Sequence, residues 1–180
     1  MNIAFLALGT DLASMSSRAL SAYARQLGHQ ARIIFIPSEL SLRAYSQATL
    51  DGISSLIANC DLVGITVFTS QYRLSAQITR HIKSTTPIPV FWGGIHPMIR
   101  PDECLQHADG ICMGEGETFL TELLAGKPLD QIPGMWYLAN GTRISNGTAP
   151  MVKDLNALPF QDFSFIDHYL VDPVTNRVGV

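Results

Sequence analysis

The residues that could bind a ligand in this 180-residue chain are glycines, hydroxyls and carboxylates that follow short apolar segments. They are Gly9, Thr10 and Asp11 after the first segment, Thr66, Thr69 and Ser70 after the third, Gly93, Gly94 and His96 after the fourth, and Gly114, Glu115, Gly116 and Glu117 after the fifth. Glycine has no Cβ, so a ligand can lie against its backbone, and helix N-termini offer free N–H groups to polar or anionic atoms. This lining favours a flat, amide-rich or phosphate-bearing ligand; tight turns without a ligand are the alternative.

Hydrophobic periodicity predicts the elements that position these residues. Apolar runs at 2–8, 31–36, 62–68, 88–92 and 110–113 predict five strands, and apolar residues at helical spacing predict a helix after each. The fourth of these helices is short and spans 101–107. Alternating strands and helices form parallel sheets covered on both faces. We therefore expect an α/β fold with a doubly wound five-stranded parallel sheet, flavodoxin-like or Rossmann-like, in the order 2-1-3-4-5.

The pattern changes after Pro128. Asn140-Gly141 is a strong two-residue hairpin signal between two strand-like segments, whereas prolines separate short mixed segments from residue 149 onward. We expect an α/β domain over 1–128, a β-hairpin over 129–148 and a linker over 149–180. The linker's aromatic residues, among them Phe160, Phe163 and Phe165, are expected to be mobile or to dock on a neighbour.

Several candidate residues have structural alternatives. Ser70 could cap the following helix. Glu115 and Glu117 fall in a first helical turn, where the helix dipole favours a carboxylate, and this explanation is preferred to an acid–base role. His96 is expected in an exposed turn as a hydrogen-bonding group, with a cobalt or zinc ligand as the minor alternative. His168 is expected at the surface.

Composition and missing motifs exclude several functions. Apolar residues make up 47% of the chain, charged residues 15%, and the net charge is −3, which gives no footprint for nucleic acid or a membrane surface. No secretory or membrane-spanning pattern is present, so a cytoplasmic location is expected. The cysteines Cys60, Cys104 and Cys112 match no metal spacing and are expected to be reduced core thiols. No dinucleotide fingerprint, phosphate-binding P-loop or serine nucleophile elbow is present, and no catalytic residue is assigned.

A family resemblance follows from Thr66-Val67-Phe68, from Gly93-Gly94-Ile95-His96-Pro97 and from Gly114-Glu115-Gly116-Glu117, together with Leu158-Pro159. With these motifs the chain resembles the N-terminal cobalamin-binding domain of B12-dependent radical S-adenosylmethionine enzymes. The resemblance implies that cobalamin lies over the strand ends, with its nucleotide tail entering beside Gly93 and Gly94. It also adds Leu12 and Ala13 to the binding residues.

The chain departs from the family pattern at two places. Ala13 stands where the cobalt-ligating histidine would be, which implies cobalamin without a histidine lower ligand from this loop. The cysteine triad that would hold a 4Fe–4S cluster is absent, so S-adenosylmethionine and the cluster are expected only in a catalytic domain outside this chain, in cis or in trans.

Two functions of different classes follow. The first is a cobalamin-binding module of a radical S-adenosylmethionine enzyme, either a methyltransferase or a tetrapyrrole-type oxidative cyclase such as the Mg-protoporphyrin monomethyl ester cyclase. The second, motivated by Ala13, is a docking or small-molecule sensor domain that keeps the fold without the cofactor.

Overall fold

The structure, a computed structural model, describes residues 1–9, 14–37 and 44–179. The strands are β1 (Asn2–Gly9), β2 (Gln30–Pro37), β3 (Leu62–Thr66), β4 (Val90–Gly93), β5 (Gly110–Cys112), β6 (Met135–Ala139), β7 (Thr142–Ser145), β8 (His168–Val171) and β9 (Val178–Gly179). The helices are α1 (Met15–Gln26), α2 (Gln47–Ile57), α3 (Tyr72–Thr85), α4 (Ile95–Ile99), α5 (Pro101–Cys104) and α6 (Gly116–Leu124). The short helix predicted over 101–107 is α5, which begins at Pro101 as expected and ends at Cys104. Helix α4 precedes it and was not predicted.

All nine of these strands form one mixed sheet in the order β7-β6-β5-β4-β3-β1-β2-β8-β9. The α/β class is confirmed, and strands β1 to β5 are parallel in the predicted order 2-1-3-4-5. The prediction of a five-stranded sheet is wrong, because β6 and β7 extend one edge and β8 and β9 extend the other.

Helices cover both faces of the parallel strands, because successive side chains of a strand point to opposite faces. In β1, Ile3 and Phe5 join the apolar cluster that contains Phe119 and Leu120 of α6. Their neighbours Ala4, Leu6 and Leu8 join the cluster formed with α2 and α3. Strands buried on both faces are apolar throughout, as the sequence of β1 shows.

The hairpin forms at the predicted turn. Asn140 and Gly141 both have positive φ, 51° and 78°, between the antiparallel strands β6 and β7. Two consecutive positive φ values are required by the turn whose twist matches a hairpin. Strand β6 pairs antiparallel with β5, so the hairpin continues the main sheet.

The segment after residue 149 differs from the expected linker. It crosses the helices of one face, where the Thr118 hydroxyl donates to the Pro150 carbonyl and the Gln26 amide donates to the Ala157 carbonyl. It then forms β8, which pairs parallel with β2. The surface expectation for His168 is wrong, since this residue is only 4% exposed. Phe160, by contrast, is 96% exposed.

A buried carboxylate fastens this segment to α1. Oδ2 of Asp162 accepts a hydrogen bond from the Ser21 hydroxyl at 3.0 Å and lies 3.4 Å from Nε of Arg25 and 3.3 Å from Nε2 of His168. Arg18 donates to the Asp162 carbonyl at 2.7 Å. Burial disfavours the Asp162 charge, but hydrogen bonds from Ser164 and Ser21, together with the nearby His168 ring, outweigh it and lower the carboxyl pKa to about 2.

Among the residues that the structure describes, no helix is both long and apolar enough to cross a bilayer.

Replacing Asp162 tests this anchor. Asp162→Asn is expected to lower the free energy of unfolding at pH 7 by about 2 kcal/mol, as for loss of a buried charged hydrogen-bonding group. Because the folded-state pKa lies below the ordinary value of 3.8, the stabilisation is present above pH 4 and is lost as the pH falls towards 2. The difference in free energy of unfolding between the native chain and Asp162→Asn, measured by urea unfolding, should therefore become smaller as the pH falls from 4 towards 2.

Asp130→Asn is the matched control, because Asp130 is exposed and surface substitutions change stability by less than about 0.5 kcal/mol. Equal stability of Asp162→Asn and the native chain at pH 7 would contradict the anchoring role.

Candidate functional site

A cavity of about 220 Å³ lies between the sheet and the helices α1 and α6. Large apolar side chains form much of its wall, among them Leu20 from α1, Phe119 and Leu120 from α6, and Phe91 from β4. Five glycines also line it: Gly64, Gly93, Gly94, Gly114 and Gly116. Four of these glycines lie at the carboxyl ends of β4 and β5, in the turns that follow or at the first residue of α6, which is the edge where open α/β sheets bind ligands.

The glycines leave the cavity free of side chains at these positions and expose the backbone to it. Gly94 has φ +93°, and a Cβ there would lie 3.0 Å from Cγ2 of Thr66 and 3.1 Å from the Val67 carbonyl oxygen. A Cβ on Gly116 would lie 3.0 Å from Cδ2 of Leu20. The turn after β4 therefore packs directly on the end of β3, and glycine is the residue that position 94 accommodates without strain.

A few polar groups lie within this largely apolar lining. The Ser16 hydroxyl of α1 donates to the Thr66 hydroxyl of β3 at 3.3 Å, and both residues line the cavity. Glu117 lines it from the first turn of α6, where the helix dipole favours a carboxylate. The cavity can thus enclose a flat apolar group while hydroxyls and a carboxylate contact its polar edges.

Cys112 contributes a thiol to the same wall. Its Sγ lies 3.7 Å from the Gly114 carbonyl oxygen and 3.8 Å from that of Glu115. Burial, helped by the negative charges of Glu117 and Glu115, raises the Cys112 pKa to about 12. All three cysteines are free and buried, as predicted. A thiol with this pKa is protonated at neutral pH and is a poor nucleophile and metal ligand.

The structure brings together part of the predicted site. Thr66, Gly93, Gly94, Gly114, Gly116 and Glu117 line the cavity. Gly9, Thr69, Ser70, His96 and Glu115 are not among the lining residues. Thr10, Asp11, Leu12 and Ala13 lie outside the described residues.

Two residues differ from their expected local roles. His96 does not lie in an exposed turn: it is 3% exposed and belongs to α4. Ser70 does not cap α3, because it lies within a short 3-10 helix, Thr69–Gln71, and Gln71 holds the N-cap position. A 3-10 helix precedes α3, which therefore begins only at Tyr72, whereas α4 begins at Ile95, directly after the glycine pair.

Sequence reasoning missed the cavity residues that lie inside regular elements. Gly64 sits in the middle of β3, and Ser16 and Leu20 sit on α1. Gly64 carried a usable signal, since a glycine inside a strand marks close approach of another group. Leu20 carried none, because a helix that packs on a sheet ordinarily turns its leucines inward, and Ser16 carried none, because a polar residue on an exposed helix position is ordinary.

Comparisons with known proteins bear on the family and the fold. A family model described as the B12 binding domain matches residues 1–124. The search of curated proteins finds no match.

Among solved structures, the chain is similar to the radical S-adenosylmethionine methyltransferase TsrM from Kitasatospora setae, whose structure has cobalamin and a 4Fe–4S cluster bound. The TM-score is 0.60 at 18% identity, and the match covers 90% of this chain and 32% of that one. At this identity the likeness shows the shared fold.

The thiol of Cys112 offers a direct check of the cavity wall. Relative to a thiol at the ordinary value of 9.0, a pKa of about 12 lowers the thiolate fraction at pH 8 about 1,000-fold. We expect Ellman's reagent to leave Cys112 unmodified in the native protein and to titrate it after denaturation in guanidinium. Mass spectrometry of the alkylated peptides assigns each thiol, and native labelling of Cys112 at the rate of free cysteine would contradict its burial.

Proposed function

We propose that this chain, which belongs to the B12-binding domain family, holds a corrinoid cofactor at the carboxyl ends of its parallel strands. The observation that carries the proposal is the cavity beside Gly93 and Gly94, which begins at that edge and extends between the sheet and the α1 and α6 helices. The nucleotide tail of the cofactor would occupy this cavity, and the corrin ring would lie over the strand ends.

The residues present fit such a tail. Its base is flat and aromatic, and the walls around Leu20, Phe91 and Phe119 are apolar. Its ribose and phosphate are polar, and the hydroxyls of Ser16 and Thr66 and the bare glycine backbone can meet them. A bound corrinoid would supply a cobalt centre with redox and alkyl-carrying chemistry; the chain itself binds, orients and shields it.

The lower face of the corrin is proposed to have no histidine ligand from this chain. Among the described residues, no histidine lines the cavity. Nδ1 of His96 faces the Thr69 hydroxyl at 3.2 Å and its Nε2 faces Glu103 at 3.1 Å, so both ring nitrogens are directed at protein groups. Ala13, at the position where the family motif has histidine, supports the same proposal.

The module is proposed to serve a radical S-adenosylmethionine methyltransferase, with the catalytic domain on the same polypeptide or on a separate one. The sequence motifs at 93–97 and 114–117 and the fold shared with TsrM support this parent. An oxidative cyclase is the other parent that the motifs imply, and no comparison favours it. Transfer of a methyl group from S-adenosylmethionine by the assembled enzyme would distinguish the two.

A large side chain at position 93 should weaken cobalamin binding. Gly93 has an ordinary φ, and a Cβ there would lie 3.8 Å from Cβ of Cys112, a normal contact. Gly93→Leu should therefore fold, yet its side chain would occupy the space beside the cavity. Overpacking costs about 1–3 kcal/mol, so we expect cobalamin affinity to fall about 10- to 100-fold. Equilibrium dialysis against hydroxocobalamin measures it.

Gly179→Leu is the matched control, because a Cβ at Gly179 meets nothing within 4 Å and β9 lies at the far edge of the sheet. Cobalamin affinity equal to that of the native chain in Gly93→Leu would count against this placement of the nucleotide tail.

The absorption spectrum tests the lower face. A base held in the cavity cannot coordinate cobalt, and no histidine of the described residues replaces it, so bound hydroxocobalamin should give a base-off spectrum at pH 7. Hydroxocobinamide, which has no base, is the control and should keep its spectrum on binding. A base-on or histidine-on spectrum of the protein-bound corrinoid would contradict the proposed lower face.

A further inference from the structure

We propose that His96 is a positioning residue: its ring fixes the turns after β3 and β4 to each other and to α5, and thereby holds the wall of the nucleotide cavity in place. The inference rests on the proposed function and deepens it. His96 itself does not line the cavity, so it acts through its neighbours.

The ring of His96 contacts three separate segments. Its Nδ1 lies 3.2 Å from Oγ1 of Thr69, in the turn after β3. Its Nε2 lies 3.1 Å from Oε1 of Glu103 on α5, without the alignment of a hydrogen bond. Its face packs against Tyr72 at the start of α3, with ring centroids 4.8 Å apart. The His96 side chain is 4% exposed, whereas Glu103 is 44% exposed and Thr69 is exposed, so water is excluded from the histidine side of both polar contacts.

The backbone carries this restraint to the cavity. The His96 N–H donates to the Val67 carbonyl at 3.1 Å, and the Val67 N–H donates to the Gly93 carbonyl at 2.8 Å. The turn after β4 is therefore hydrogen-bonded to both the N–H and the carbonyl of Val67. Gly94 lies between these two hydrogen bonds, and a Cβ there would be 3.0 Å from Cγ2 of Thr66. Thr66, Gly93 and Gly94 all line the cavity, so a shift of His96 must move its wall.

Histidine suits this role because its two ring nitrogens point in different directions within one rigid ring plane. Asparagine or glutamine can place a polar atom near only one of the two positions. Phenylalanine keeps the ring that packs on Tyr72 and removes both polar contacts, so it isolates the part of His96 that ties Thr69 and Glu103.

The test compares two corrinoids on His96→Phe. Cobalamin carries the nucleotide tail, and cobinamide lacks it. Loss of these polar contacts should loosen the cavity wall, so we expect about a tenfold loss of cobalamin affinity, about 1.4 kcal/mol, with cobinamide affinity unchanged. A merely structural role would weaken both corrinoids equally, and that result, or unchanged cobalamin affinity, would overturn the proposal.

Thr69→Val provides a second variant, since Thr69 is exposed and its loss should leave folding intact even where His96→Phe does not fold. It should also lower cobalamin affinity selectively. Where both variants fold, the double variant should lose less than the sum of the two, because the residues share one contact. Additive losses, or an unaltered Thr69→Val protein, would overturn the proposal.

His81→Phe is the matched control. His81 lies on α3, and its Nε2 is 3.6 Å from an Asp51 carboxylate oxygen. This contact joins α3 to α2 and does not involve the turns that line the cavity. The cobalamin affinity of the His81→Phe variant should therefore equal that of the native chain. A native chain that retains no cobalamin would instead refute the proposed function, and this inference with it.

Discussion

The site depends on one close contact, that of the Gly94 backbone with the end of β3. The carboxyl ends of parallel strands lie along one edge of the sheet. Side chains in the turns at that edge would fill the space for a ligand, so some of these residues must be glycines. At Gly94 a Cβ would meet both the Thr66 side chain and the Val67 backbone. The positive φ of Gly94 lets the chain turn on top of β3 and continue into α4. The cavity exists because this turn consists of backbone alone.

Helix α1 connects the cavity to the rest of the fold. Ser16 and Leu20 line the cavity, whereas Arg18, Ser21 and Arg25 on the other side of the helix hold Asp162. The guanidinium of Arg18 also lies 4.9 Å from the Phe35 ring centroid and 4.4 Å from that of Phe163. The segment after residue 149 thus binds α1 on the side of the helix that faces away from the cavity.

The central fold was accessible from sequence because β1 to β5 are apolar runs separated by helical stripes, which leave few arrangements. The segment with β8 was not, because β8 is four residues long and is held by Asp162 and His168, polar residues that ordinarily indicate a surface. The glycines of the site were visible as motifs. The burial of His96 was not, because it depends on Thr69 and Glu103 meeting in three dimensions.

The most direct test of the central claim is amide NMR of the isotope-labelled protein, recorded with and without cobalamin. If the nucleotide tail enters the cavity, the amides of Gly64, Gly93, Gly94 and Gly116 should shift most, while those of β9 at the far edge should stay in place. Shifts confined to surfaces away from the strand ends, or no shifts at saturating cobalamin, would contradict the assignment of this cavity to a corrinoid.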